Sequence, residues 1–202
     1  MLKMMIPALA LTQALAFVPL ANTFAYSSTG MNAKGETIDL DVPFVPTPQP
    51  VVDKMLELAD VKKGETVYDL GSGDGRIVVT AAKKFGAKGV GVDMDPERVK
   101  EAKENVRTNG VGHLVTIREG NALKTDVSKA NVVTLYLLTD VNLKLKPTLQ
   151  KLPAGTRVVS HDFAMGDWEP VREATVQAGG REHKIYLWKV GQGQAKSQVS
   201  RN

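Results

Sequence analysis

The chain has 202 residues, 43% of them hydrophobic, which is enough for one globular domain with a proper core and not clearly enough for two. Its 26 Lys and Arg against 22 Asp and Glu leave a net charge of +4, interleaved with acidic residues along predicted helices; that pattern fits solvated helix faces and not a nucleic-acid footprint, so no nucleic-acid partner is expected. The absence of cysteine excludes disulfides, thiolate metal sites and cysteine nucleophiles.

Residues 1–25 open with the single basic residue Lys3, run apolar except at Thr12 and Gln13, and end in small residues suited to cleavage after Ala25. This is the pattern of a secretory signal peptide, which predicts export to the periplasm or beyond. The alternative is an uncleaved membrane anchor, because the apolar run reaches the short end of the ~17–25 residues a helix needs to span. Residues 26–42 are polar without sustained periodicity and read as a linker.

The folded domain is expected over residues 43–190. After the proline-rich VPFVPTPQP, residues Val52, Met55, Leu56 and Ala59 have helical spacing, with Thr47 as the expected cap and Pro48 and Pro50 in the first turn. ETVYDL is a buried strand, RIVVTAAKKFG a helix stopped by Gly86, and KGVGVDMD a second strand. Asp95 caps a helix that buries Val99, Ala102 and Val106 and ends at Asn109-Gly110. HLVTIREG and the nearly continuous apolar ANVVTLYLL give a third and a fourth strand. VNLKLKPTLQKL is a helix despite Pro147, TRVVSHDF a fifth strand, and VREATVQAGGREHKIYLWKV a closing hairpin around Gly179-Gly180. Residues 191–202 form a polar tail, expected to be disordered. Strands alternating with helices predict a single α/β domain: a Rossmann-like, doubly wound, mostly parallel seven-stranded sheet closed by a C-terminal β-hairpin.

Such sheets bind ligands outside the carboxyl ends of their strands, and the glycine-rich VYDLGSGDGRIVV lies at such an end. Gly71, Gly73 and Gly75 follow G-x-G-x-G, so the third glycine arrives one residue too early for the dinucleotide fingerprint, and Arg76 stands in its place. Asp69 and Asp74 flank the run and would repel a pyrophosphate. They suit a cationic ligand instead, and S-adenosylmethionine has an ammonium, a sulfonium and no phosphate. The expected cofactor set is therefore Asp69, Gly71, Ser72, Gly73, Asp74 and Gly75 around the methionine end. Asp93, at the end of the next strand, would take the ribose hydroxyls, and Met94 would lie against the adenine. Asn121 with Ala122 would stand at the adenine edge, although a turn role suits Asn121 nearly as well. Thr47 completes the set from the lead-in segment. A plain tight turn and a nicotinamide-dependent oxidoreductase remain as weaker readings of the same loop.

Taken together, DLGSGDG, GVDMDP and EGNAL resemble the successive motifs of class I S-adenosylmethionine-dependent methyltransferases, with Asn121 where Asp is more usual. The lead-in FVPTP, the run DLGSGDGRIVV and Trp168-x-Pro170 are similar to the family of the ATP synthase c-subunit lysine methyltransferase and its bacterial relatives. That resemblance implies protein-lysine N-methylation, with a lysine of a membrane-associated protein as partner. Methyl transfer from a sulfonium is an in-line displacement, with the nucleophile held about 3 Å from the methyl carbon and water excluded.

Tyr136, His161 and Asp162 are the expected catalytic residues on the substrate side, with Phe44 to Thr47 as a lid and Trp168 as a wall or, more simply, an anchor for the hairpin. His113 and His183 read as loop and strand residues. Three histidines, no cysteine and no H-E-x-x-H spacing argue against a catalytic metal. Small-molecule methylation and non-catalytic S-adenosylmethionine binding stand as alternative functions. The lack of a large insertion after the fourth strand favours an exposed peptide substrate.

Overall fold

The computed structural model of the protein describes residues 29–31, 37–39 and 44–192. The expected signal or anchor segment and the tail beyond Gln192 lie outside the described residues. Within the stretch read as linker, β1 (Thr29–Met31) pairs antiparallel with β2 (Thr37–Asp39). Among the described residues no helix is long and apolar enough to cross a membrane.

The domain proper begins with α1 (Gln49–Leu58), whose cap is Pro48 and makes no side-chain hydrogen bond. The expectation that Thr47 caps this helix is therefore corrected: its hydroxyl is engaged elsewhere. The chain then alternates through β3 (Thr66–Leu70), α2 (Arg76–Phe85), β4 (Lys88–Asp93), α3 (Pro96–Thr108), β5 (Val115–Glu119), a short 3-10 turn (Ala122–Lys124) and β6 (Val132–Leu135). It continues through α4 (Thr139–Leu149), which runs on through Pro147, and β7 (Arg157–His161) to the hairpin of β8 (Arg172–Ala178) and β9 (Arg181–Lys189). Asp95 caps α3 as its sequence suggests, accepting from Glu97 N–H at 2.8 Å. The turn at Gly191 and Gln192 closes on Lys189 O, so the first residues of the expected tail still belong to the fold.

The seven strands run in the order β5-β4-β3-β6-β7-β9-β8. The first five are parallel, and β9 joins β7 antiparallel with β8 at the edge. The chain moves outward from β3 to β5 and then returns to β6 on the other side of β3. The crevice beyond β3 and β6 is thus the point of strand-order reversal where such sheets bind ligands.

Side-chain alternation sorts the core into two layers. Val67, Val132, Val159, Ile185 and Leu187 face α1 and α2, while Tyr68, Leu70, Val133, Leu135, Val158 and Trp188 face the side of α4. A third cluster packs α2 and α3 over Val115 and Ile117 of β5. Trp168 is a buried anchor of the hairpin: its carbonyl accepts from Trp188 Nε1 at 2.6 Å, and the two rings lie 5.9 Å apart. By the same alternation Asp69, Thr134, Tyr136 and His161 fall on the α1 face, at the carboxyl ends of three neighbouring strands.

Candidate active site

The site has two halves along one rim, joined by the segment from Phe44 to Thr47. The first half is the glycine loop after β3. Gly71, Gly73 and Gly75 have φ of 76°, 52° and 76°, a region that L side chains rarely enter. Space makes the same demand at the first two. A Cβ on Gly71 would lie 2.7 Å from Leu137, and one on Gly73 would lie 2.3 Å from the Phe44 ring. The bare backbone therefore lets the strand-end residue Leu137 and the lead-in residue Phe44 close directly on the loop.

Two carboxylates organise this half. Asp93 Oδ2 accepts from Gly73 N–H at 2.7 Å and Oδ1 from Asp95 N–H at 2.9 Å, so the end of β4 holds the loop in place. Burial raises the Asp93 pKa, and those two donors work against the rise. Asp69 is buried and accepts from Thr134 Oγ1 at 2.7 Å through Oδ1, while Oδ2 has no protein partner. Burial pushes its pKa up to about 7, with Asp93 and Asp74 adding to the rise and the Thr134 hydroxyl opposing it. Ser72 Oγ is likewise buried without a partner. Each of these unpaired buried oxygens is costly unless a ligand completes it, and a cationic ligand would complete the carboxylate best. The residues present therefore fit the ammonium-bearing end of S-adenosylmethionine.

Asp74 and Asn121 are placed differently from their expected parts. The Asp74 carboxylate is neutralised by Arg76, at 2.5 Å from Nη2 and 2.9 Å from Nε, so the loop is less acidic than its sequence suggests. Repulsion of a phosphate then falls to Asp69 and Asp93 rather than to Asp74. Asn121 caps the 3-10 turn, accepting from Leu123 N–H at 2.8 Å, which is the turn role weighed beside the adenine contact; Ala122 opens that turn. Met94 is half-buried just after β4.

The second half lies at the ends of β6 and β7. His161 is fully buried, Tyr136 tilts over it with ring centroids 3.8 Å apart, and Asp162 follows with a left-handed φ of 60°. Such a φ costs an L residue about 1–2 kcal/mol, so the surrounding contacts must hold it. They do: Asp162 Oδ1 accepts from Lys184 N–H at 2.9 Å, and Oδ2 from Arg181 Nη2 at 2.7 Å. Burial alone would raise the Asp162 pKa, but these donors outweigh it and leave the carboxyl below its ordinary range. Tyr136 shifts upward, through burial and then the Asp162 charge, and so stays a neutral phenol.

His183, read from its sequence as a strand residue, does lie in β9, and the structure adds that it partners His161. Its Nδ1 lies 2.7 Å from His161 Nε2, and its own Nε2 lies 3.2 Å from Ala178 O. A carbonyl only accepts, so His183 Nε2 carries a proton, and neutral His183 then offers Nδ1 as an acceptor. His161 must donate through Nε2, leaving Nδ1 to accept from Thr47 Oγ1 at 3.2 Å. One proton arrangement satisfies the whole chain from Thr47 to Ala178. Burial lowers the His161 pKa to about 4, with His183 and Arg181 adding to the depression and Asp162 opposing it. The signal for His183 was its place in the alternation with buried Ile185 and Leu187.

The structure also brings His161, Asp162 and His183 together, with ligand atoms all within 4.8 Å, a grouping invisible to their spacing along the chain. The two imidazoles meet nearly end-on, with nitrogens 2.7 Å and ring centroids 4.9 Å apart, which is the geometry of a shared proton.

The Phe44–Thr47 segment joins the halves. Phe44 covers Gly73 beneath the guanidinium of Arg98, 4.8 Å from the ring centroid, and Arg76 Nη1 donates to Thr47 O at 3.0 Å. Thr47 then reaches His161, so a single strap touches both the glycine loop and the ends of β6 and β7.

One family and three individual relatives bear on this rim. The family described as ANTKMT methyltransferase domain matches residues 69–172. A protein-lysine N-methyltransferase of Saccharolobus islandicus (strain REY15A) is 50% identical over 153 residues, 75% of this chain and 95% of that protein. The RNA methyltransferase from Salinibacter ruber, solved in complex with S-adenosyl-L-homocysteine, is 54% identical, with a TM-score of 0.68 over 73% of this chain and 95% of that one. The ribosomal protein L11 methyltransferase of Alkaliphilus oremlandii is 32% identical, over 59% of this chain and 38% of its own length.

Proposed function

We propose that the methyl acceptor is a lysine side chain of a protein, from the premise that the chain belongs to the ANTKMT methyltransferase domain family and is an S-adenosylmethionine-dependent methyltransferase. One observation of this molecule carries the reading. The substrate side of the rim presents an ionised carboxylate, Asp162, next to an aromatic ring, Tyr136, at the ends of adjacent strands. A carboxylate and an aromatic face together favour a cation over a phosphate-bearing chain. The name of the Saccharolobus relative supports the same acceptor.

When bound, the cofactor supplies an electrophilic methyl group on a sulfonium. The chain's own residues do the rest. Asp69 and Ser72 offer their unpartnered oxygens to its cationic end, and Asp93 keeps the loop in register. Phe44 and Leu137 close over the glycines and exclude water, which also lowers the pKa of an amine entering beside them. Neutral His161, fixed by Thr47 and His183, supports the Tyr136 ring as a wall of the acceptor channel.

RNA is the second reading, because of the Salinibacter relative. The test incubates the full chain with methyl-labelled S-adenosylmethionine and separated protein and RNA fractions of the source cells. Label recovered as methyl-lysine from the protein fraction is the expected result. Ribonuclease-sensitive label without methyl-lysine would transfer the assignment to RNA, and label only in small molecules would overturn both. Residues 1–25 lead us to propose further that the enzyme works outside the cytoplasm or at a membrane, on a membrane-associated protein. The support is the apolar run between Lys3 and Ala25. N-terminal sequencing of the protein from envelope and soluble fractions checks it, and an intact Met1 in the soluble cytoplasmic fraction would refute it.

A further inference from the structure

The substrate side of the rim already holds a cation. Arg181 opens β9 just after the Gly179-Gly180 turn, and its side chain is 51% exposed. Its Nη2 bridges Asp162 Oδ2, at 2.7 Å, and the Tyr136 hydroxyl, at 3.3 Å, while Nη1 donates only to Glu182 O. The two bridged acceptors come from the ends of β6 and β7, so the hairpin tip reaches across to a cleft that other strands build.

We propose that Arg181 is a built-in occupant of the subsite for the substrate's lysine ammonium, and that the entering lysine displaces it and moves the hairpin tip aside. This deepens the protein-lysine reading and rests on it. The geometry favours exchange over a fixed structural pair. Asp162 is pinned by Lys184 N–H through Oδ1, so Oδ2 stays presented whichever cation it holds. The other titratable groups facing Oδ2 are His161 Nε2 at 3.3 Å and His183 Nδ1 at 3.6 Å. Burial disfavours the charged form of His161, and the Arg181 guanidinium, paired with Oδ2 at 2.7 Å, is the cation that a substrate must replace.

Arginine suits a placeholder that must not react. Its guanidinium stays protonated throughout the working pH range, whereas a lysine amine in the same place could lose its proton and become a nucleophile. The exposed stem and the two glycines preceding it make withdrawal cheap, because the departing guanidinium regains water. Asp162 stabilises the ammonium form of an incoming lysine, so its part is recognition. The ammonium gives its proton to water once it leaves the carboxylate, before the amine meets the methyl group.

The test uses the full chain and poly-L-lysine as the probe, with equilibrium binding measured without cofactor and steady-state methyl transfer measured with it. Arg181→Gln should tighten binding and lower KM by roughly twofold to fivefold, the size of an exposed ion pair, with kcat nearly unchanged. Arg181→Lys, which restores the cation, should return binding and KM to wild type. Arg118→Gln removes a charge from exposed β5 on the opposite side of the sheet and should change neither. Melting curves within a degree or two of wild type show that the variants fold, and Arg181→Ala replaces Arg181→Gln if it does not. Weaker binding or a raised KM in the glutamine variant would make Arg181 part of the substrate site and overturn the proposal, as would an equal gain from Arg118→Gln. Wild-type enzyme that labels neither poly-L-lysine nor any protein lysine would instead refute the lysine reading, and the gate with it.

Discussion

The two halves of the rim are built in opposite ways. The glycine-loop frame of the cofactor half comes from one run of chain, Asp69 to Asp93, and is held largely by backbone: Gly71 and Ser72 N–H on Val92 O at 2.8 and 3.0 Å, Gly75 N–H on Ser72 O at 2.8 Å, and helix α2 starting directly from Gly75. The half proposed to receive the substrate gathers Thr47, Tyr136, His161, Asp162, Arg181 and His183, and is held by side chains bonding one another across up to 114 positions. A backbone-held site keeps its shape when one side chain changes. A site held by side chains transmits each change to its neighbours, so substitutions in the two halves should divide into binding effects and stability effects.

The largest expected effect is on the substrate half. His161→Ala opens a cavity and leaves Thr47 and His183 without their partner, and should cost about 3–4 kcal/mol, a fall in Tm of about 10 °C. Cofactor affinity in that variant should stay within about twofold by calorimetry, since a backbone-held loop does not need the ring. The deficit is also pH-dependent. Burial depresses the folded-state pKa of His161 to about 4 from 6.5, so the unfolded chain takes up the proton first as pH falls. The wild-type stability from this ring is therefore complete above pH 6.5 and lost toward pH 4, and the gap to His161→Ala should narrow by up to about 3 kcal/mol over that range. Taking the difference cancels Asp69, whose raised pKa makes stability fall as pH rises from 3.8 to about 7. A gap that stays constant between pH 7 and 4.5 in urea melts would refute the buried neutral imidazole.

Next in size, Asp93→Asn should weaken S-adenosylhomocysteine binding by about 10- to 30-fold, the loss of one charge-assisted acceptor. Tm should fall by only a few degrees, because the amide oxygen can still take Gly73 N–H although its NH2 then faces Asp95 N–H. A large fall in Tm with unchanged affinity would reverse the contrast drawn between the halves. The smallest effect belongs to the strap: Thr47→Val keeps the shape but leaves His161 Nδ1 without a donor, and should cost about 1 kcal/mol in thermal melts.

The same contrast explains what reading the chain could find. The strand and helix order was legible because DLGSGDG, GVDMDP and the apolar runs are local signals whose periods follow from backbone geometry. Asp93 could be singled out because a strand end at that distance from the loop is a matter of chain length alone. Thr47 was misassigned as a helix cap: its sequence position suits a cap, but Pro48 is the cap and the Thr47 hydroxyl turns to His161, 114 residues away. Arg76 was noted only as the residue that breaks a glycine fingerprint, and its pairing with Asp74 needed the loop's turn to become visible.

By itself, then, the sequence determined the sheet, the glycine loop and the class of cofactor, because each is encoded in contiguous residues whose local geometry leaves few choices. The tertiary structure alone decided that His161 and His183 pair beneath the Tyr136 ring, that Arg76 pairs with Asp74, and that Arg181 covers Asp162. Those facts depend on which strand ends become neighbours. Strand pairing joins residues across distances over which no local period or spacing carries a signal.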